Sequence, residues 1–118
     1  MIKIYHNPRC SKSRLGLAAV EDSGKEYIVI KYLEEDHLFT TDELQEVITK
    51  LEITPIDLVR KNEAIWKQNY KGKQLSDEEI VTAMVTHPKL IERPIVIDKK
   101  KGVIGRPTEL ITEFLNKS

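Results

Sequence analysis

A strand, a helix and a second strand are predicted in succession within the first 32 residues. Residues 3–6 alternate in hydrophobicity, which indicates a short strand, and an Asn-Pro pair then breaks it. A helix is expected over residues 11–22, ending near Gly24, and the β-forming run at 27–32 predicts the second strand. A β-α-β unit this short implies a parallel pair of strands, so the fold must contain a sheet with helices packed on it.

Capping signals predict that the middle of the chain is helical. Two capping boxes place a Ser or Thr three residues before a Glu, and a Thr-Pro pair provides a third helix start. The third of these helices must end before Pro88, because proline disfavours helix in the preceding residue. The predicted helices run from residue 40 to about 51, from 54 to about 60, and from 76 to 87.

The last part of the chain predicts a β-hairpin followed by a helix. The hairpin strands are expected at residues 94–98 and 103–104, and the closing helix at 107–116. The order β-α-β, helices, β-β-α predicts one α/β domain over residues 1–118, with a mixed four-stranded sheet. The helical insertion is expected at about residues 36–88.

Apolar residues in the first and last helices are expected to pack on the sheet. The polar stretch around Trp66 and Tyr70 is expected to pack only partly. The residues available for the two buried helix faces are Leu15, Leu17, Ala18 and Ala19 in the first helix, and Leu110, Ile111, Phe114 and Leu115 in the last.

Composition argues against several classes of function. With 19 Lys plus Arg and 19 Asp plus Glu, the chain has no net attraction for nucleic acid or an anionic membrane. No apolar run approaches the roughly 18 residues needed to span a bilayer. The N-terminus does not have the pattern of a signal peptide, so we expect a cytoplasmic protein. One Cys and 3 His are too few for a structural zinc site.

The single cysteine, Cys10, is expected at the start of the first helix. Free N–H groups and a partial positive charge at a helix N-terminus lower the pKa of a thiol, and they also bind oxyanions. The flanking cations Arg9, Lys12 and Arg14 should act in the same direction. A buried, inert cysteine is the alternative, but the polar, basic flanks are unlike a core position. Because no internal disulfide can form, redox chemistry at Cys10 requires a thiol from another molecule.

Other candidate residues are a histidine and three arginines. His6 lies four residues before Cys10, where it would either raise the thiolate fraction or orient the loop, and a structural role is the commoner one. Arg60, Arg93 and Arg106 each lie at an expected element boundary. Paired guanidinium donors hold tetrahedral oxyanions well, but spacing alone does not distinguish these arginines from solvated surface residues.

Residues 6–14 resemble the active-site loop of the glutaredoxin-dependent arsenate reductases. Residues 58–62, 92–96 and 105–109 are similar to three further blocks of that family, in the same order and spacing. The resemblance implies a thioredoxin-like fold with a helical insertion. It also implies that Cys10 attacks arsenate or a similar oxyanion, and that the oxyanion is held by Arg60, Arg93 and Arg106.

The same resemblance implies roles for the neighbouring loop residues. His6, Ser13 and Arg14 match residues that support the thiolate, and Asn7 belongs to the same block. Pro94 matches the family's cis-proline, although X-Pro bonds in general favour trans. The resemblance also implies that the substrate is bound by Ser11, Lys12, Ser13 and Arg14. No bound cofactor or metal is implied; glutathione is the expected co-substrate and glutaredoxin the expected partner.

Ser11, Lys12 and Ser13 stand where the best-known arsenate reductases have Gly-Thr-Ser, and the chain ends soon after its last helix. Both features are typical of a short branch of the family.

Two other functions remain compatible with the sequence. One is a monothiol oxidoreductase acting on glutathione mixed disulfides, since residues 10–13 read Cys-x-x-Ser. The other is a non-enzymatic, transcription-related regulator, here without a disulfide switch. A low-molecular-weight phosphatase is excluded, because Cys-x5-Arg would require arginine at Gly16.

Overall fold

The computed structural model describes residues 1–117 and contains one four-stranded mixed sheet. Its strands are β1 (Ile2–Tyr5), β2 (Tyr27–Ile30), β3 (Ile95–Ile97) and β4 (Gly102–Ile104). Their order in the sheet is β2-β1-β3-β4. β1 and β2 are parallel, whereas the β1–β3 and β3–β4 pairs are antiparallel. The predicted α/β class and mixed sheet are confirmed.

The described residues form five α-helices: α1 (Ser11–Asp22), α2 (Thr41–Leu51), α3 (Ala64–Asn69), α4 (Asp77–Thr86) and α5 (Glu109–Lys117). Short 3-10 turns lie at Glu35–His37, Pro55–Leu58 and Pro88–Leu90. Helices α2, α3 and α4 separate β2 from β3, which confirms the predicted helical insertion. Within residues 1–117, no helix is both long enough and apolar enough to cross a membrane.

Local signals set the boundaries of the insertion helices. Both predicted capping boxes form: the Thr40 hydroxyl accepts from the Glu43 N–H at 3.1 Å, and the Ser76 hydroxyl accepts from the Glu79 N–H at 3.2 Å. Each Glu carboxylate in turn accepts from the backbone N–H of its capping residue. Each box therefore satisfies two helix-terminal donors, which explains why the starts of α2 and α4 could be predicted from the sequence.

Side chains from the strands alternate between two hydrophobic clusters, one on each face of the sheet. On the first face, the paired residues Ile4 and Val96 pack with side chains of α1 and α5. On the second face, the next pair, Tyr5 and Ile95, packs with side chains of α2 and α4. We call these the α1/α5 face and the insertion face. Cys10 immediately precedes α1.

The buried side of α1 agrees only in part with the predicted one, since Leu17 and Ala19 are half-buried and pack on the α1/α5 face. Ser13, Gly16 and Val20 are the buried residues of this helix, whereas Leu15 is 53% exposed and Ala18 is also exposed. The α1 backbone lies close to the ring of Pro94: a Cβ built at Gly16 would lie 2.5 Å from Cγ of Pro94. The helix contacts the Pro94 loop through its small residues, which turns Leu15 outward.

Several other predicted details need correction. In α5, Ile111 and Leu115 are buried as expected, but Leu110 is exposed. The segment after residue 54 forms a 3-10 turn rather than an α-helix. Trp66 is only 7% exposed, because α3, which was not predicted, carries it into the larger cluster on the insertion face.

Candidate active site

The loop between β1 and α1 presents Cys10 at the N-terminus of the helix. Cys10 is the N-cap residue, with extended backbone angles, and its carbonyl accepts from the Arg14 N–H at 3.0 Å. Asn7 shapes the loop that precedes it: its carbonyl accepts from the Cys10 N–H, and its side-chain oxygen accepts from the Arg9 N–H, both at 3.0 Å. The first turn of α1 therefore directs free N–H groups toward the cysteine side chain.

A buried polar network fixes this turn from beneath. The Ser13 hydroxyl is fully buried, accepts from the Asn7 N–H at 2.9 Å and lies 2.7 Å from Nδ1 of His6. Burial, with the nearby charge of Lys31, lowers the pKa of His6, although its contact with Ser13 acts in the opposite direction. His6 is therefore neutral at neutral pH and anchors the loop through Ser13.

The Cys10 thiol is half-buried and faces two arginines. Nη2 of Arg106 donates to its Sγ at 3.5 Å. Partial burial alone would raise the pKa of Cys10. It is outweighed by hydrogen bonds from the backbone N–H groups of Ser13 and Lys12 and from the Arg93 guanidinium, and by the charge of Arg93. The net effect is a lowered pKa. A thiolate is thus stabilised at the helix N-terminus.

The predicted effect of the flanking cations is only partly realised. Lys12 acts on the thiol through its backbone N–H, and the side-chain charge that lowers the pKa is that of Arg93. Nη1 of Arg14 donates to the Pro8 carbonyl at 2.9 Å, on the surface. Ser11, Lys12 and Arg9 are also exposed. The loop cations therefore surround the mouth of the site, and its charged interior comes from residues distant in sequence.

Arg93 and Arg106 are held together by backbone contacts. Nε of Arg106 donates to the Arg93 carbonyl at 2.7 Å, and Nη1 of Arg93 reaches the Lys89 carbonyl at 3.4 Å. Arg93 precedes a cis peptide bond to Pro94, as the resemblance implied, and Arg106 precedes a second cis bond, to Pro107, that was not predicted. Nε of Arg93 is buried and has no hydrogen-bond partner within residues 1–117. A buried donor of this kind is suited to an anion.

Arg60 lies in a different environment from the other two arginines. Its backbone N–H donates to the Leu90 carbonyl at 2.7 Å, which places it beside the segment that leads to Arg93. Its guanidinium forms ion pairs with Glu63 at 2.6 Å and Glu92 at 3.3 Å. Two carboxylates therefore compensate its charge, whereas Arg93 and Arg106 are directed at the thiol.

Tyr32 is a residue of this region that the sequence analysis missed. It is fully buried, and its hydroxyl donates to the Ile91 carbonyl at 3.3 Å. Burial raises the pKa of Tyr32 to about 12, while the charges of Arg93 and Arg60 act against the increase. The Tyr32 hydroxyl therefore stays protonated at neutral pH, and it lies near the guanidinium groups of Arg93 and Arg60. Tyr32 lies in a β-rich run that suggested only a strand, so no local signal distinguished it.

The chain is similar to known proteins in both sequence and structure. The model of the ArsC family matches residues 5–114. The arsenate reductase of Haemophilus influenzae is 41% identical over 114 residues, which span 95% of this chain and 97% of that protein. The uncharacterized protein YfgD of Escherichia coli (strain K12) is 41% identical over 116 residues, with 97% and 96% of the two chains covered. The structure of an arsenate reductase from Vibrio cholerae matches with a TM-score of 0.87 at 41% identity, over 95% of each chain.

Proposed function

Because the chain belongs to the ArsC family and has the thioredoxin-like fold of its relatives, we propose that it reduces arsenate to arsenite at Cys10. One observation carries the proposal. The nucleophile and the anion-binding donors coincide, since Arg106 donates to Sγ at 3.5 Å and the buried Nε of Arg93 has no hydrogen-bond partner within residues 1–117.

In the first step, the Cys10 thiolate attacks arsenic. An S–As bond forms, one arsenate hydroxyl takes up a proton and leaves as water, and arsenic stays pentavalent. Arg93 and Arg106 neutralise charge on the arsenate oxygens, and the N–H groups of Lys12 and Ser13 bind from the helix side. Arg60 supports the same oxyanion from the adjacent segment, with Glu63 and Glu92 holding its guanidinium in place.

In the second step, an external thiol must resolve the adduct, because Cys10 is the chain's single cysteine. The thiolate of glutathione attacks Sγ of Cys10, an S–S bond forms, and the S–As bond breaks with its electron pair remaining on arsenic. Arsenic becomes trivalent, its three oxygens take up protons, and arsenite leaves. The sulfur of Cys10 is left oxidised, as a mixed disulfide with glutathione.

Regeneration of the thiol requires a second exchange. We assign it to glutaredoxin, whose thiolate would attack the glutathione sulfur and release Cys10 as the thiolate. The lowered pKa of Cys10 makes it a good leaving group in this exchange. On this proposal the reaction takes place in the cytoplasm, where glutathione and glutaredoxin are reduced, and it uses no bound metal or cofactor.

The test is arsenate-dependent NADPH oxidation with glutathione, glutaredoxin and glutathione reductase supplied. We expect Cys10→Ser to reduce turnover by about a thousandfold or more, since it removes the nucleophile. Arg106→Ala should reduce kcat/KM for arsenate roughly hundredfold, as expected for the loss of one oxyanion donor. Lys100→Ala, in the exposed turn between β3 and β4, is the control and should retain full activity. Absence of wild-type turnover would refute arsenate as the substrate.

A monothiol oxidoreductase acting on glutathione mixed disulfides is the second candidate. Ser13 favours it, because this serine stands where a Cys-x-x-Cys protein has its second cysteine. The Ser13 hydroxyl contacts His6 and accepts from the Asn7 N–H. The arginines directed at Sγ favour an oxyanion over this alternative. Release of glutathione from a glutathionylated protein, measured without arsenate, separates the two activities.

A further inference from the structure

A cleft beside the Cys10 loop is not used by the oxyanion chemistry. Its volume is about 470 Å³, within the roughly 300–1,000 Å³ of small-ligand sites. Pro8, Leu33 and Leu38 form an apolar wall, and Leu38 is 43% exposed although it is a large hydrophobic residue. The cleft can therefore cover an aliphatic chain several atoms long.

The charges on the rim of the cleft are arranged as two cations and one anion. Arg9 and Lys89 supply the positive charges, and Glu34 supplies the negative one. Glutathione carries the complementary set at neutral pH: two carboxylates and one ammonium group, on a short and largely aliphatic backbone. A simple alkyl thiol such as 2-mercaptoethanol has none of these charges.

Two connections join the cleft to the thiol. Arg9 immediately precedes Cys10 in the chain, so their Cα atoms are about 3.8 Å apart. Lys89, which also lines the cleft, accepts a hydrogen bond through its carbonyl from Arg93, whose guanidinium acts on the Cys10 thiol. The cleft is therefore lined by the residue next to Cys10 and by a residue hydrogen-bonded to Arg93. Its lining residues are distinct from the three arginines assigned to the oxyanion.

We propose that this cleft is the binding site for glutathione. Arg9 and Lys89 bind its two carboxylates, Glu34 binds its ammonium group, and its sulfur lies toward Cys10. The inference rests on the proposed function for its role in turnover, but binding itself requires no arsenate. The site gives the second step of the reaction a selectivity for a charged peptide thiol over an uncharged one.

Binding is tested first with S-methylglutathione, which has the same charges but cannot exchange disulfides. Titrated into the 15N-labelled protein at low salt, it should shift the amide resonances of Arg9, Glu34 and Lys89 in a saturable manner. Shifts confined to other parts of the protein, or no saturable shifts, overturn the proposal. If arsenate turnover is absent but these shifts occur, the proposed function fails and the glutathione site stands.

Selectivity is tested by reversing the two cations in Arg9→Glu/Lys89→Glu. The KM for glutathione should rise about tenfold, an estimate from modest single charge pairs acting together. The rate with 2-mercaptoethanol should fall much less, so the preference for glutathione over the uncharged thiol is reduced. The matched control, Lys99→Glu/Lys100→Glu, makes the same charge change in the exposed β3–β4 turn and should leave both rates unaltered. An equal loss with both thiols would show an effect on Cys10 itself and overturn the proposal, as would an unchanged KM for glutathione.

Discussion

On the α1/α5 face, the backbone of α1 lies directly against the Pro94 loop, and Gly16 and Gly105 both contact Pro94. On the insertion face, capped helices with large side chains fill the space over the sheet, and fully buried residues such as Leu44 and Met84 supply the contacts. The first face depends on a close approach that tolerates no extra methyl group. The second depends on the volume of its side chains.

The two faces also differ in what they contribute to the site. The α1/α5 face positions Cys10 and brings Arg93 and Arg106 to it across the Pro94 loop. The insertion face contributes Arg60, already compensated by two carboxylates, and the buried hydroxyl of Tyr32. The comparison teaches that reactivity at the thiol should be sensitive to packing on the first face and insensitive to helix capping on the second.

The largest expected effect is that of Gly16→Ala. The added Cβ would lie 2.5 Å from Cγ and 3.2 Å from Cβ of Pro94, so α1 or the loop must shift. We expect the free energy of unfolding to fall by about 1–3 kcal/mol, as is typical of overpacking, and the alkylation rate of Cys10 to fall as well. Urea denaturation and iodoacetamide kinetics measure the two effects.

Leu15→Ala, one residue earlier in the same helix, is the matched control. Leu15 is 53% exposed, so its truncation should change the free energy of unfolding by no more than about 0.5 kcal/mol. A larger loss from Leu15→Ala than from Gly16→Ala would mean that Leu15, as predicted from the sequence, lies on the buried side of α1 after all.

A smaller effect is expected from Ser76→Ala on the insertion face. The substitution removes the acceptor for the Glu79 N–H and should lower the free energy of unfolding by about 1 kcal/mol. The alkylation rate of Cys10 should not change, because the main contacts of α4 are with α2 and with the turns at Pro55–Leu58 and Pro88–Leu90. A parallel loss of thiol reactivity would break the distinction between the two faces, and Thr40→Ala provides an independent repeat at α2.

The smallest expected effect is the pH dependence of stability that the Cys10 thiol confers. Its pKa is lowered in the folded protein, so the thiolate stabilises the fold above the unfolded value of about 8.5. This contribution is lost as pH falls through the lower, folded pKa. Relative to Cys10→Ser, the wild type should therefore gain stability between those two pKa values as pH rises. Urea midpoints that diverge in the opposite direction would contradict a stabilised thiolate.

Much of the fold could be predicted from short stretches of sequence. The β-α-β unit, both capping boxes and the end of α1 near Gly24, which has a φ of +73°, all depend on neighbouring residues. The position of Cys10 before α1 could likewise be predicted from neighbouring residues. Trp66 and Tyr32 were missed, because their burial depends on packing partners far along the chain.

By itself, the sequence determined the order of elements, a single thiol that cannot form an internal disulfide, and a basic loop at a helix N-terminus. Only the tertiary structure decided which arginines act on that thiol. Residues 96 positions apart, Arg106 and Cys10, meet because the Pro94 loop carries Arg93 to the end of α1 and Arg93 in turn fixes Arg106. The same structure paired Arg60 with two carboxylates. Charge and residue type are local properties, whereas the distance between two charges is set by the packing of the whole chain.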